Sequence, residues 1–309
     1  MVPYNPKNWF TLIFQIHKSH LMRYMAPNLV GIGLLSGLMT WFFTDYAHLS
    51  IPPGLNIHAF VGIVLGLVLV FRTNTAYERW WEGRKLFGAL TNHSRNLALK
   101  LNAFLPENAI EERQFFNDAI GDFYFALKNH LREVRKPEEL RLENQPYRKD
   151  YGMVKHVPNL IAAHLQQRIT KMMSEGTINN DQYRVMNDDV SAFIDVLGAT
   201  ERIQKTPIPF SYSIYIKKVI IVYLLSLPLS TITSLGYYTV PMVMFTTYVI
   251  AGIELLAEEI EDPFGHDHND LDTDGMAENI RKNLDEILMG DMSFEKDDPK
   301  PELVGPKYP

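Results

Sequence analysis

Residues 57–81 read IHAFVGIVLGLVLVFRTNTAYERWW: fifteen uncharged, mostly apolar residues from Ile57 to Phe71 run without a break into a polar, arginine-bearing aromatic segment. The pattern predicts a membrane helix that continues beyond the bilayer as an aqueous helix. Fifteen helical residues cover about 22 Å, short of the ~30 Å hydrocarbon core, so the segment needs protein neighbours or a water-filled path beside it.

Working outward, Tyr24–Thr44 is a second uncharged run, and Val219–Ile253 is a third, which the Leu235-Gly236 step divides into two. Four spans are expected, the alternative being one long tilted helix over 219–253. Lys and Arg mark the cytoplasmic side. Lys7, Lys18 and Arg23 precede the first span, Arg72, Arg79, Arg84 and Lys85 follow the second, and Lys205, Lys217 and Lys218 precede the third. Residues 45–56 and the turn around Tyr237 hold neither Lys nor Arg. Both termini are therefore expected in the cytoplasm.

A mean hydropathy of -0.11 with 21% charged residues requires a sizeable aqueous part, because the spans hold almost no charge. It lies mainly at residues 82–205. Leu86, Leu90, Leu97 and Leu101, and more strictly Phe116, Ile120, Phe123, Leu127 and Leu131, recur at helical spacing, as do residues within 159–173 and 181–203. Lys136-Pro137 and the polar stretch to Tyr151 read as connections. The expected fold is all-α. Its organisation is an N-terminal amphipathic helix (1–23), two spans (24–81), a cytosolic helical domain (82–205), an elbow with two more spans (206–262), an acidic turn and cytosolic helix (263–289), and a Pro-rich, charged tail (290–309).

The chain has no cysteine, which removes disulfides, thiol nucleophiles and zinc-thiolate sites. The apolar stretch WFTLIFQI at 9–16 is too short and aromatic for a signal peptide. There is no GxxxxGK[ST], GxSxG, HExxH or Gly-rich dinucleotide turn, so no enzyme is expected, nor is nucleic acid a partner. The spans also lack the Asp, Glu, Lys or Arg that mark proton relays and coupling-ion sites. His58 reads as an interfacial residue with no transport role.

The second span has two features. Gly62 and Gly66 form a small-xxx-small pair that allows close helix approach. Ile63, Leu67 and Phe71, at i, i+4 and i+8, form an apolar stripe that faces lipid, another span or a symmetry axis.

FRTNTAYERWWEGRKLFG at 71–88, TPIPFSY at 206–212 and AEEIEDPFGHDHNDL at 257–271 resemble, each in its expected place, the bestrophin family of channels in its bacterial branch. The resemblance implies an integral protein of the bacterial inner membrane, a homopentamer around a central pore that the second span lines and that continues through a cytosolic helical vestibule. Three apolar neck residues of the family map onto Ile63, Leu67 and Phe71. A narrow ring of such side chains closes a pore by dewetting, since an ion must shed water without replacement ligands. The family's cytosolic aperture falls near INNDQ at 178–182, where Ile178, Asp181 and Gln182 all remain candidates.

Arg72, Glu78, Trp80 and Trp81 follow the neck. Arg72 lies about 100° around the helix from Phe71 and need not face an axis; its expected partner is an acid such as Glu78 or Glu82. Pro207, Pro209 and Phe210 read as a rigid elbow.

In HDHNDLDTDG (266–275), Asp270, Asp272, Asp274 and Gly275 begin like an EF-hand, but Arg281 stands where a bidentate Glu is required. By resemblance to animal bestrophins, Asp262, Asp267 and Asp270 match a calcium clasp that bacterial relatives generally lack, and His266 and His268 interrupt its acidic run. The alternative is a solvated acidic turn with no cofactor, Asp274 capping a helix that starts near Met276. The family implies chloride or other small anions. The formal charge of -6 per chain, multiplied fivefold in a pentamer, and the absence of a Lys or Arg ring at the outer mouth keep monovalent cations open. A secondary transporter and a non-conducting membrane scaffold compete with both channel readings.

Overall fold

A computed structural model of the protein describes residues 20–49 and 55–290. The expected N-terminal helix, up to residue 19, and the tail, from residue 291, lie outside the described residues. The described residues are all-helical, with no strand among them. In chain order the helices are α1 His20–Trp41, α2 Leu55–Phe104, α3 Ile110–Leu131, α4 Val157–Ser174, α5 Asn180–Lys205, α6 Phe210–Leu235, α7 Thr239–Glu261 and α8 Thr273–Met289. They form two compact units, one of residues up to Leu86 with Thr200–Asp272, the other of Phe87–Ala199 with residues from Thr273 on.

In the first unit, α1 packs on α7, and α6 packs on α7. The approach of α1 to α7 is tight at Gly33, where a Cβ would lie 2.8 Å from Met244 Sδ, whereas one on Gly252 would make ordinary contact, 3.6 Å from Met25 Sδ. Side-chain fit of this kind, rather than expulsion of water, holds helices together where the surroundings are as apolar as leucine. The buried Ser36 and Thr40 hydroxyls donate to the carbonyls of Ile32 (2.7 Å) and Ser36 (2.8 Å), so neither is left without a partner. Leu65 and Leu69 of α2 pack with Ile216, Ile220 and Leu224 of α6, flanked by Val68, Val219, Tyr223 and Ile250.

The apolar run over 219–253 is two helices. It breaks at Gly236, whose φ of 53° and ψ of -131° lie in a region that glycine enters without the Cβ clash. A short 3-10 turn, Gly236–Tyr238, then leads into α7. The helix after Ile57 is longer than one span: α2 runs for 50 residues without a break, from the apolar run into the leucine-patterned segment.

In the second unit α3 is the central helix. Every residue from Phe115 to Asn129 is buried, and α4 and α8 pack against it. The buried set includes Asp118, Asp122 and Lys128, charges that a central helix tolerates only when they are paired. Their partners come largely from the connection between α3 and α4. Asp122 Oδ1 accepts from the Arg141 amide (2.9 Å) and Arg281 (3.4 Å), and its Oδ2 accepts from the Tyr147 hydroxyl (3.0 Å). Lys128 donates to Glu139 (2.7 Å) and Asp274 (2.6 Å). The polar stretch expected to be a plain connection is thus three short 3-10 turns strapped onto α3 by buried charge.

The expected cap of the last helix is corrected. That helix starts at Thr273, and both Asp274 oxygens are taken by side chains of the central helix region, Lys128 and Arg132 (2.7 Å), so Asp274 is an ion-pair residue rather than a cap.

Candidate functional site

The first half of α2 has two contrasting faces. Leu65, Leu69, Arg72 and Ala76 recur at spacings of four, three and four and are buried. Ile63, Leu67 and Phe71 lie on the other side and are 74%, 57% and 58% exposed. Phe60, Val64 and Val70 are also exposed, so the outward face is broad and apolar. The two glycines behave differently. A Cβ on Gly62 would lie 2.8 Å from the Tyr223 hydroxyl, so Gly62 is a close-approach position against α6, whereas Gly66 has open space beside it. His58 Nε2 lies 3.0 Å from Ser226 Oγ, on the α6 side.

Directly below the stripe, three sequence-distant segments meet. Arg72 is 1% exposed; its Nη2 donates to Glu261 Oε2 at 2.6 Å, and its Nε lies 3.5 Å from Glu254 Oε1. The other Glu261 oxygen accepts from the Ile208 amide (2.8 Å) in the elbow between α5 and α6. Arg79, two turns further on, donates to the carbonyls of Glu261 (3.0 Å), Thr206 (2.6 Å) and Ile203 (2.6 Å), which gather the C-terminal ends of α7 and α5. Trp80 donates to the Asn269 carbonyl at 3.0 Å. A Cβ on Gly83 would lie 3.1 Å from the Phe264 ring and 3.2 Å from Pro263, so glycine is what lets the turn after α7 close on α2.

Arg72 does not pair with Glu78 or Glu82, the neighbours expected from its own helix. Its partners are Glu254 and Glu261, and Glu82 pairs with Lys85 instead. Glu261 in AEEIEDPFG, and Glu254 three residues before that stretch, carried the signal, since an arginine at the end of an apolar run needs a counter-charge. Local spacing could not choose between the two sources.

Of the aperture candidates, Ile178 is buried, Asp181 is exposed and Gln182 is half-buried. Gln182 has a local task. Its Oε1 accepts from the Asn179 amide (2.8 Å) while Asn179 Oδ1 accepts from the Gln182 amide (2.9 Å). This reciprocal cap at the start of α5 was legible as Asn-x-x-Gln in INNDQ.

The calcium candidates divide as well. Asp262 and Asp267 are exposed and Asp270 is 3% exposed, so the turn is not solvated throughout. Asp270 Oδ2 accepts from the Asp267 amide at 2.6 Å, and its Oδ1 has no hydrogen-bond partner among the described residues. Burial, reinforced by the charges of Asp267, Asp262 and Glu259 against the Asp267 hydrogen bond, pushes the Asp270 carboxyl up to about 7. The group fits a proton near neutral pH; it also presents a buried, unpartnered oxygen of the kind a hard cation takes.

Among the described residues, three helical stretches are long and apolar enough to cross a membrane, Leu21–Tyr46, Ile57–Phe104 and Phe210–Glu261, the last comprising α6 and α7. Such stretches, joined at their base by buried charge, define an integral membrane protein of the helical class. The chain belongs to the bestrophin family: residues 1–286 match the family described as Bacterial/Fungal Bestrophin protein. A relative in Nostoc sp., named a voltage-dependent anion channel-forming protein, is 33% identical over 293 residues, 91% of this chain and 92% of that protein. One of the same description in Escherichia coli is 29% identical over 92% of each chain. The crystal structure of a bacterial bestrophin homologue from Klebsiella pneumoniae superposes with a TM-score of 0.80 at 26% identity, covering 86% of this chain and 98% of that one.

Proposed function

We propose that the protein is an ion channel of the bestrophin type, a homopentamer in the bacterial inner membrane that passes small anions such as chloride through a pore lined by α2. The observation that carries the reading is the two-faced α2. Three apolar side chains at successive turns are more than half exposed, while the opposite face is buried and tied to α7 by charge. The names of the relatives supply the anion.

On this reading α1, the first half of α2, α6 and α7 are the four spans, both termini are cytoplasmic, and residues 82–205 and 263–289 are the aqueous part. Ile63, Leu67 and Phe71 form stacked apolar rings that close by dewetting. Exposed Asp181, with Gln182 beside it, supplies the cytosolic constriction, and Ile178 supports it from within. No catalytic step belongs to this function. Asp270, its carboxyl pushed up to about 7 by burial, exchanges a proton near neutral pH.

One observation favours a second reading, a monovalent-cation channel of the same design. Arg72, the basic side chain nearest the stripe, is neutralised by two acids, and the exposed aperture candidate is acidic. Purified protein in planar bilayers with a KCl gradient separates the two. A reversal potential near the chloride equilibrium value supports the anion channel, and one near the potassium value transfers the assignment to cations. No current, even with the three neck residues changed to alanine, leaves a non-conducting scaffold.

A further inference from the structure

The apolar contacts of α2 do not by themselves determine how the helix is rotated. Leu65 and Leu69 meet Ile216, Ile220 and Leu224 through dispersion contacts, which change gradually as a helix slides or turns. Arg72 is different. It is buried, it is the residue after Phe71, and its contacts are directional.

Its two acids are unequally engaged. Glu261 holds Arg72 by a 2.6 Å hydrogen bond and also accepts from the Ile208 amide. Glu254, seven residues earlier on α7 and therefore on the same face two turns away, lies 3.5 Å from Arg72 Nε. Neither Glu254 oxygen has a hydrogen-bond partner among the described residues, and neither do Arg72 Nε and Nη1. Glu254 is 4% exposed, so bulk water does not supply one. Arg72 Nε and Glu254 Oε1 thus face each other as an ion pair at 3.5 Å without a hydrogen bond, and Arg72 Nη1 and Glu254 Oε2 are also buried without one, an arrangement that costs free energy in this position and would be relieved by a small movement of Arg72. The neighbouring basic groups have their own partners. Arg79 bonds three carbonyls, and Lys217 pairs with Glu258 at 2.7 Å.

We propose that Arg72 is the positioning residue of the pore helix, a two-position latch that exchanges its hydrogen bonds between Glu261, engaged in this structure, and Glu254, which stands ready. Both positions keep the arginine paired, so the exchange never passes through a fully buried lone charge. Moving to Glu254 draws Arg72 along α7 and turns α2, and with it Phe71 and Leu67. It also frees Glu261 to hold the elbow before α6 alone. A packed helix with two discrete polar seatings is bistable rather than continuously deformable. The effect on a pore rests on the proposed channel function; the latch itself does not.

The two glutamates therefore make opposite predictions. Glu261→Gln weakens the engaged seat and shifts Arg72 towards Glu254, while Glu254→Gln weakens the alternative and holds Arg72 at Glu261. Both substitutions preserve shape and leave an acceptor, and the side chain in Glu261→Gln can still accept from the Ile208 amide. Because the chain has no cysteine, Leu67→Cys carries a single bimane label whose emission reports how polar its surroundings are.

In detergent-purified protein, Glu261→Gln is expected to shift the emission and Glu254→Gln to leave it unchanged or move it the other way. Channel open probability in bilayers is expected to change about tenfold in opposite senses. Arg72→Lys, which keeps the charge, is expected to retain part of the difference between the two glutamine variants, and Arg72→Met to abolish it. Identical emission in both variants, or shifts of the same sign, in protein that elutes as a single species would overturn the latch. The emission requires no current, so opposite shifts in a protein that never conducts uphold the latch while removing the channel.

Discussion

Replacing Ile63, Leu67 and Phe71 together by alanine separates pore lining from packing, because the two faces of one helix predict opposite consequences. The three side chains are 74%, 57% and 58% exposed within the protomer. Truncating them removes few intramolecular contacts, and alanine is the best helix former, so the protomer is expected to lose less than about 1 kcal/mol. On the proposed pentameric reading, the same change around a five-fold axis has a large effect. Each side chain shortens by roughly 2.5–4 Å on its own side, and the ring widens by about twice that. Water then fills the neck, and each ~1.4 kcal/mol removed from the dehydration barrier multiplies ion flux by ten. At least tenfold higher resting leak from chloride-loaded liposomes is expected, with the oligomer intact by size exclusion and light scattering. On the opposite face, Leu65→Ala and Leu69→Ala open cavities against Ile216, Ile220 and Leu224 and are expected to cost roughly 2–5 kcal/mol each without raising leak. Unchanged leak in the triple variant, or a loss of thermal stability as large as that of the buried pair, would place the stripe in a packing interface and refute the neck.

Three further outcomes follow from the geometry. Burial raises the Asp122 carboxyl to about 6, although the Arg141 amide, Tyr147 and Arg281 oppose it. The folded protein therefore binds its proton more tightly than the unfolded chain, and this contribution to stability falls as pH rises from about 4 to about 6. Asp122→Asn is expected to flatten that window in urea titrations, and an unaltered slope would remove Asp122 as the source. For Asp274, burial acts to raise the carboxyl, and Lys128 and Arg132 outweigh it, holding it at about 2. Its stabilising contribution is present above pH 3.8 and is lost as pH falls from 3.8 towards 2; Asp274→Asn should be less stable above pH 3.8 and lose stability less steeply below it, as followed by circular dichroism. With the Asp270 carboxyl pushed up to about 7, millimolar calcium at pH 7 is expected to leave the melting temperature unchanged. A rise that Asp270→Asn abolishes would make this turn a cation site.

The sequence, taken locally, carries what depends on neighbours within a few residues. Phe116, Ile120, Phe123, Leu127 and Leu131 are spaced as one helix face and are buried, although burial extends all round α3 from Phe115 to Asn129, and the glycine that ends α6 stands where the apolar run divides. Such features follow from the 3.6-residue period and from the freedom of glycine at positive φ, both written in the sequence. The Asn179–Gln182 cap is equally local, two side chains three residues apart that satisfy each other's amides.

What the sequence determined, then, is an all-helical chain with long apolar segments and an arginine that follows the apolar stripe of α2; which face of α2 is buried came from the structure. The tertiary structure alone decided who neutralises that arginine, because Glu254 and Glu261 are about 180 and 190 residues away in sequence. It also decided that Asp270 and Ile178 are covered, and that the connection after α3 is tied down through Tyr147 and Arg141. The physical reason is the same in each case. A buried charge must find a counter-charge or hydrogen bonds wherever folding places them, and periodicity along one helix carries no information about which distant segment will supply them.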